Sequence, residues 1–483
     1  MKLTSHSPRR GQAGNVLVLT VVVTGLVGFT LASYLTLVKA QNQTTMRSQA
    51  WNNTMPVIEA GIEEALAHLM VHGTNRLDVD GWTKEGTLYW KQGYLPNAYY
   101  IITITNWFDP DSTSPIIESR GYVKKPVQVV SRTDALFADA NSASAITAGH
   151  LARGVRVDTR RAPVFNMGMV ADAAIDLNGN NIDADSFDSS DPNHSTNGQY
   201  DPLKSKDNGD LASNSGLTNS VNVGNANIKG RISVGPGGSV AIGPTGIVGD
   251  ENWHQTQTSG IQAGAVVDDM NVDFSPIDPP FTGGAWIPGS GIVGGTSYRY
   301  VLGSGKYMMG SLNMSSSDTM LITGDAILYV TGNIDISGNA SIVIATNATL
   351  QIYAGGATVS IMGNSVANLS GLAQNFAYYG LESNTKLTFG GNGEFIGTIY
   401  APNADFDLNG SGRSGGIDFV GASITKSSKM NGHFKFHYDE DLKNHLFRGY
   451  VVTHWEEMGP QEIAALQING VTNTGNSDGT TTQ

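Results

Sequence analysis

The first 70 residues and the remainder of the chain follow two different hydrophobic rhythms. From Gly11 to Val38 no side chain is charged, and Val16 to Leu37 is mostly Val, Leu, Thr, Gly and Phe. About 20 apolar residues suffice for a helix to cross a bilayer, so this stretch predicts a membrane-spanning helix. Ile58, Ile62, Ala65, Leu66 and Leu69 then recur at helical spacing, with Glu59, Glu63 and Glu64 largely off that face, which predicts an amphipathic helix. Pro56 lacks an N–H and clashes with the preceding turn, so the helix kinks or restarts there.

Beyond residue 73 the period shortens to two. Tyr99 to Thr105 is rich in β-formers, Asp109-Pro110-Asp111 marks a turn, and Ile116 to Val123 can return as a partner strand. A small antiparallel sheet over Thr87–Val130 is expected. From about Phe165 short apolar–polar–apolar units end at Gly or Asn. The clearest are the doublets Leu328/Val330, Ile334/Ile336, Ile342/Ile344, Leu350/Ile352 and Val359/Ile361, six to nine residues apart. Each doublet places two side chains on one face of a short strand. Repetition at this scale predicts a β-helix or solenoid-like stack. A meander or sandwich of short hairpins fits the same pattern. Prolines near Phe274–Pro280 mark a linker, and Asn469–Gln483 has the composition of a disordered tail.

The fold class expected is therefore mainly β with a long N-terminal helix. It divides into 1–72 (membrane and amphipathic helix), 73–164 (small β-rich head), 165–442 (β-helix-like domain) and 443–483 (C-terminal segment). Composition agrees: 59 glycines among 483 residues and only 15% charged residues suit turn-rich β-structure. The net charge of −13 without a basic patch argues against nucleic acid as a partner. The absence of cysteine excludes disulfides and thiolate metal sites.

Lys2, Arg9 and Arg10 precede the apolar stretch, and Lys39 and Arg47 follow it. The leading basic residues favour a cytoplasmic N-terminus. A cleaved secretory signal is the alternative, although the apolar run is longer than its usual core. The order Arg9-Arg10-Gly11-Gln12-Ala13-Gly14-Asn15-Val16-Leu17-Val18-Leu19-Thr20, followed by Gln41-Asn42-Gln43 and Ile58 to Leu69, resembles the N-terminus of type IV pilin-like proteins, closest to the PilX type. That resemblance covers about the first 70 residues. It implies cleavage by a prepilin peptidase at Gly11 or Gly14, and an inner-membrane anchor whose remaining chain is periplasmic or extracellular. Major pilins carry a glutamate five residues after the cut. Here Val16 or Leu19 stands there, so the resemblance implies a minor pilin or an anchored protein outside a filament. Ile182 to Ser189, Phe395 to Ala404, Leu408-Asn409-Gly410 and Phe436 to Leu442 resemble parts of an uncharacterised extracellular β-rich domain that often follows PilX-type N-termini. Pilin-like subunits are the partners this implies; surface polysaccharide is the other candidate, suited to the outward Ser, Thr, Asn and Gly of the repeat.

Two constellations could carry chemistry. Asp183, Asp185, Asp188 and Asp191 offer the clustered oxygens that Ca²⁺ takes, but they lack the glycine and terminal glutamate of an EF-hand loop. Ordinary turn chemistry is the simpler reading of them. His437, Tyr438, Asp439 and Glu440 could form an acid–base group. On a strand His437 and Asp439 share a face and Tyr438 opposes them. A hydrogen-bonded histidine at a domain edge is the simpler reading, and His433 joins it by spacing alone. No catalytic residue, metal ligand or cofactor is assigned. The function expected is non-enzymatic and structural or adhesive. The rival is a surface-anchored polysaccharide-active enzyme on a β-helix scaffold, which needs two or three convergent carboxylates. Asp335 is the single carboxylate in residues 326–363.

Overall fold

The computed structural model describes residues 13–72, 77–107, 114–125, 149–179, 182–362, 364, 366–391, 393–410 and 417–465. Gly11 and the Asp109–Asp111 turn lie outside these residues, and Gly14 falls in the first helical turn. The chain is mainly β with a long N-terminal helix. It forms two compact units, residues 1–162 with 448–483 and residues 163–447.

In the first unit, helix α1 (Ala13–Asn52) is followed by α2 (Thr54–His72). The join falls where the sequence places it: Asn53 is a turn, and Pro56 occupies the first turn of α2, where its missing N–H has no intrahelical partner to lose. At 1.5 Å per residue α1 is about 60 Å long. Val16 to Leu37 is exposed throughout, which is unfavourable for an apolar surface in water. By length and composition the helix can cross a membrane.

Helix α2 lies on a sheet. Strands β1 (Thr83–Glu85), β2 (Leu88–Leu95), β3 (Ala98–Thr105), β4 (Ile116–Lys124) and β5 (His150–Pro163) pair antiparallel in sequence order. The strand Phe447–Glu457 adds beside β5. The expected partners β3 and β4 are paired, Tyr99 opposite Tyr122 and Ile104 opposite Ile117. Val57, Ile58, Ile62, Ala65 and Leu69 form the buried face of α2 and share one core with Tyr100, Ile102, Ile104, Ile117, Val155 and Val157.

Two glycines set how close helix and sheet approach. A Cβ on Gly121 would stand 2.8 Å from Ile58 Cγ1 and 3.0 Å from the Thr54 carbonyl, and one on Gly61 would meet Ser119 Oγ. The contact is sealed by the Ser119 hydroxyl, which donates to the Ile58 carbonyl at 2.9 Å. Gly121→Val should therefore lift α2 from the sheet and cost about 1–3 kcal/mol, the range for overpacking. Thermal unfolding of the purified chain measures it. An unchanged melting temperature would mean that the helix does not seat on this strand.

The second unit is built from short parallel strands. Thr296–Leu302, Thr319–Ile322, Ser341–Ile344 and Val366–Asn368 pair in one row. Gly305–Met309, Asp325–Val330, Thr349–Ala354 and Phe376–Gly380 pair in a second. Leu312–Met314, Ile334–Ile336, Thr358–Ile361 and Lys386–Gly391 pair in a third. Each strand thus pairs with the third strand onward, and equivalent positions stack: Leu328 on Ile352, Ile334 on Val359, Ile342 on Val366. The hairpin alternative is overturned in this stretch, since hairpins would be antiparallel. A genuine hairpin precedes it, Gly289–Val293 with Thr296–Leu302, turned by Gly294 and Gly295 at φ 58° and 81°. Both members of all five doublets are buried. No strand crosses the proline-rich 274–280 stretch.

The last strands of this unit pair with its first. Ile417–Asn431 runs parallel beside Met169–Ala171, and Phe434–Asp439 beside Asp183–Phe187. Inside, Phe395, Phe419 and Phe436 stack in register, with ring centroids 4.4 and 4.8 Å apart.

Candidate functional site

The same register that stacks the phenylalanines inward lines up polar residues on the opposite face. Asp418 pairs with Lys435, Lys435 with Asp183, and Asp183 with Asn227. One step along, His437 pairs with Asp185. Over these rows lies a cleft of about 400 Å³, lined among others by Asp183, Asp185, Tyr200, Lys229, His254 and His437.

His437 is the centre of the cleft wall. Its side chain is 3% exposed. Nδ1 lies 2.5 Å from Asp185 Oδ1. The second oxygen of Asp185 accepts the Tyr200 hydroxyl at 2.7 Å. The Tyr200 ring stacks on the imidazole, centroids 3.6 Å apart and planes 21° off parallel. Nε2 lies 3.8 Å from Asp418 Oδ1 and has no hydrogen-bond partner among the described residues. Burial opposes a charge on His437, but the bond to Asp185 and the Asp418 carboxylate outweigh it and hold its pKa above the ordinary histidine value. The Tyr200 phenol is pushed far up by burial and by Asp185. Burial also raises Glu394, with Asp418 adding to it and His437 opposing. The arrangement is a buried histidine hydrogen-bonded to one carboxylate, with a second 3.8 Å from its far nitrogen, and roofed by an aromatic ring.

The other residues of the sequence constellation go separate ways. Tyr438 points inward and its hydroxyl donates to the Phe165 carbonyl at 3.0 Å. Asp439 accepts the backbone N–H groups of Ser189 and Asp441 at 3.1 and 3.2 Å. Burial raises its pKa to about 6, although these bonds oppose the rise. Glu440 is buried and pairs with Lys206 Nζ at 2.5 Å, and also accepts from Ser186 and Asn208. His433 sits in the bend before the strand.

The aspartate cluster separates likewise. Asp183 accepts the Asn227 amide at 2.7 Å, and Asp185 belongs to His437. Asp188 and Asp191 each accept backbone and side-chain donors two residues on, from Ser190 and Asn193, as turn-forming aspartates do. Sequence reasoning named Asp185 and His437 but in different groups. It missed Tyr200 and Asp418, for which no spacing gives a signal.

By fold and site this is a mainly β protein with a long, apolar-faced N-terminal helix and a polar cleft on a wall of parallel strands. Its residues 288–445, under half of the chain, match a family described as a domain of unknown function (DUF7305). No curated protein matches. Among solved structures, the crystal structure of the competence-associated pilin ComZ from Thermus thermophilus is aligned over 84% of this chain and 97% of that one. The identity is 11% and the TM-score 0.23.

Proposed function

We propose that the chain is a membrane-anchored, non-enzymatic, pilin-like protein of the bacterial cell envelope. It serves as a minor component of a type IV pilus or secretion-type assembly, or as a surface structural or adhesive protein. The observation that carries this reading is the junction of α1 with α2. A helix whose exposed, uncharged stretch is long enough to span a bilayer leads, across one turn residue, into a helix seated on an antiparallel sheet. The PilX-type segment around Gly11 and Gly14 supports processing by a prepilin peptidase. The body lies outside the inner membrane. The three parallel rows of residues 296–391 support a β-solenoid, whose outward Ser, Thr and Asn side chains suit contact with other subunits or with surface polysaccharide.

Mass spectrometry of the mature N-terminus tests the processing: a chain beginning directly after Gly11 or Gly14 is expected, and an intact or later-cut N-terminus counts against it. Leu26→Arg tests the anchor. A charge at mid-bilayer costs about 2.5–3.5 kcal/mol on the insertion scale, so membrane recovery should fall. Undiminished recovery would displace the span from this segment.

A second reading, a polysaccharide-active enzyme, is favoured by one observation: Nε2 of His437 is unpartnered beside a cleft that also holds Asp183. Release of reducing ends or unsaturated products from a polysaccharide panel, lost in His437→Gln, would establish it. No turnover is expected.

A further inference from the structure

Helix α2 presents His68 and His72 one turn apart on one face, and the turn leading to β1 brings Asp80 against them. His72 Nε2 lies 2.7 Å from Asp80 Oδ2, and His68 Nδ1 lies 3.8 Å from the same oxygen. In a tetrahedral site with metal–ligand bonds near 2.0–2.1 Å, neighbouring ligand atoms stand about 3.4 Å apart. The two separations bracket that value.

Three features hold the set in place. His68 Nε2 is 3.3 Å from the Leu77 carbonyl, so Nε2 carries the proton and the lone pair of Nδ1 faces His72 and Asp80. A backbone carbonyl on the far nitrogen is the usual way a ligating histidine is oriented. The His68 ring is stacked on Trp82, centroids 5.0 Å apart and 19° off parallel, and its side chain is 4% exposed. Asp80 sits at φ 56°, and its carbonyl accepts Lys91 Nζ at 2.7 Å. Lys91 is the one cation in this set of contacts, and its charge is met by Glu64 at 2.7 Å.

We propose that His68, His72 and Asp80 form a binding site for a divalent transition-metal ion of the Zn²⁺ type, which pins the C-terminal end of α2 to the turn before β1. Two imidazoles and one carboxylate suit Zn²⁺, Co²⁺ or Ni²⁺ and disfavour Ca²⁺ and Mg²⁺, which take oxygen. Asp80 and His72 are 63% and 20% exposed in their side chains, so the ion has an entry path and an open position for water. The 2.7 Å contact between them is replaced on binding.

The test uses the full chain in detergent, stripped with EDTA and dialysed. Titration with ZnCl₂ by calorimetry, with elemental analysis, should give one Zn²⁺ per chain and a raised melting temperature. His72→Ala and Asp80→Asn should each weaken binding by about 10–100-fold, at least the loss seen on removing an outer-shell partner. Both positions are at the surface, and circular dichroism in EDTA verifies that the variants fold. His454→Ala, an exposed histidine on the strand Phe447–Glu457, should leave binding unchanged. Co²⁺ provides a second readout: as a paramagnetic ion beside Trp82 it should quench fluorescence, and Trp82→Phe should remove that share. Absence of Zn²⁺ binding, or binding equally tight in both ligand variants, overturns the proposal.

Discussion

Ile344→Asp unfolds the unit of residues 163–447. Ile344 is fully buried in the row where Ile322, Ile344 and Asn368 stack in register. Aspartate there loses roughly 1.5–3 kcal/mol of apolar burial and sets an unpaired carboxylate in a dry interior. A total above about 4 kcal/mol is expected, the range reserved for buried unpaired charge. Because the side chain stands between two neighbouring strands, the damage is not confined to one turn. Ser360 is the matched control. It lies between the inward Val359 and Ile361, faces outward, and is paired with Asp335 on one side and Thr388 on the other. Ser360→Lys brings opposite charges together across the pair and should change stability by no more than about 0.5 kcal/mol. Thermal melts and limited proteolysis of the full chain separate the two. Equal sensitivity at both positions would refute the alternation.

Asp185→Ala should be nearly as damaging. Asp185 holds both His437 and the Tyr200 hydroxyl, and removing one partner of a buried pair costs about 3–5 kcal/mol because the other charge is stranded. Tyr200→Phe removes only one hydrogen bond and should cost about 1 kcal/mol. The pH dependence distinguishes a charge clamp from mere packing. His437 has a folded pKa above its unfolded value of 6.5, so the folded chain holds the proton more tightly. Its contribution is complete below pH 6.5 and is lost as pH rises through the folded value. Asp439, raised to about 6, acts in the same direction and is still completing its titration at pH 6.5, so it adds to the start of the fall. From pH 6.5 to 8.5 the melting temperature should fall. With Asp185 absent, only Asp418 is left to oppose burial at His437, so the fall should shrink. A slope unchanged by Asp185→Ala would place the proton elsewhere.

Much of the architecture was legible locally. The uncharged run, the 3.6-residue spacing of Ile58 to Leu69 and the period-two doublets each reflect one element burying its own face, so they can be read without knowing the neighbours. The restart at Pro56 was legible because proline lacks the N–H that a helix interior needs. The pairing was not. Doublets six to nine residues apart suggest that neighbours in sequence touch, yet Leu328 meets Ile352 and Ile334 meets Val359, because successive strands fall in different rows. An apolar pair has no marker of which other pair it stacks on.

The cleft shows the same division. Sequence marked His437 and Asp185 as residues able to titrate, and alternation correctly turned His437 and Tyr438 to opposite faces. That His437 and Asp185 share one proton, 252 positions apart, follows from the last strands of the unit lying parallel beside the first. The strand Phe447–Glu457 beside β5 is a contact of the same kind. Side-chain chemistry and local period therefore determined the elements and their buried faces. Strand register, which depends on how the whole chain returns on itself, decided which of those side chains meet.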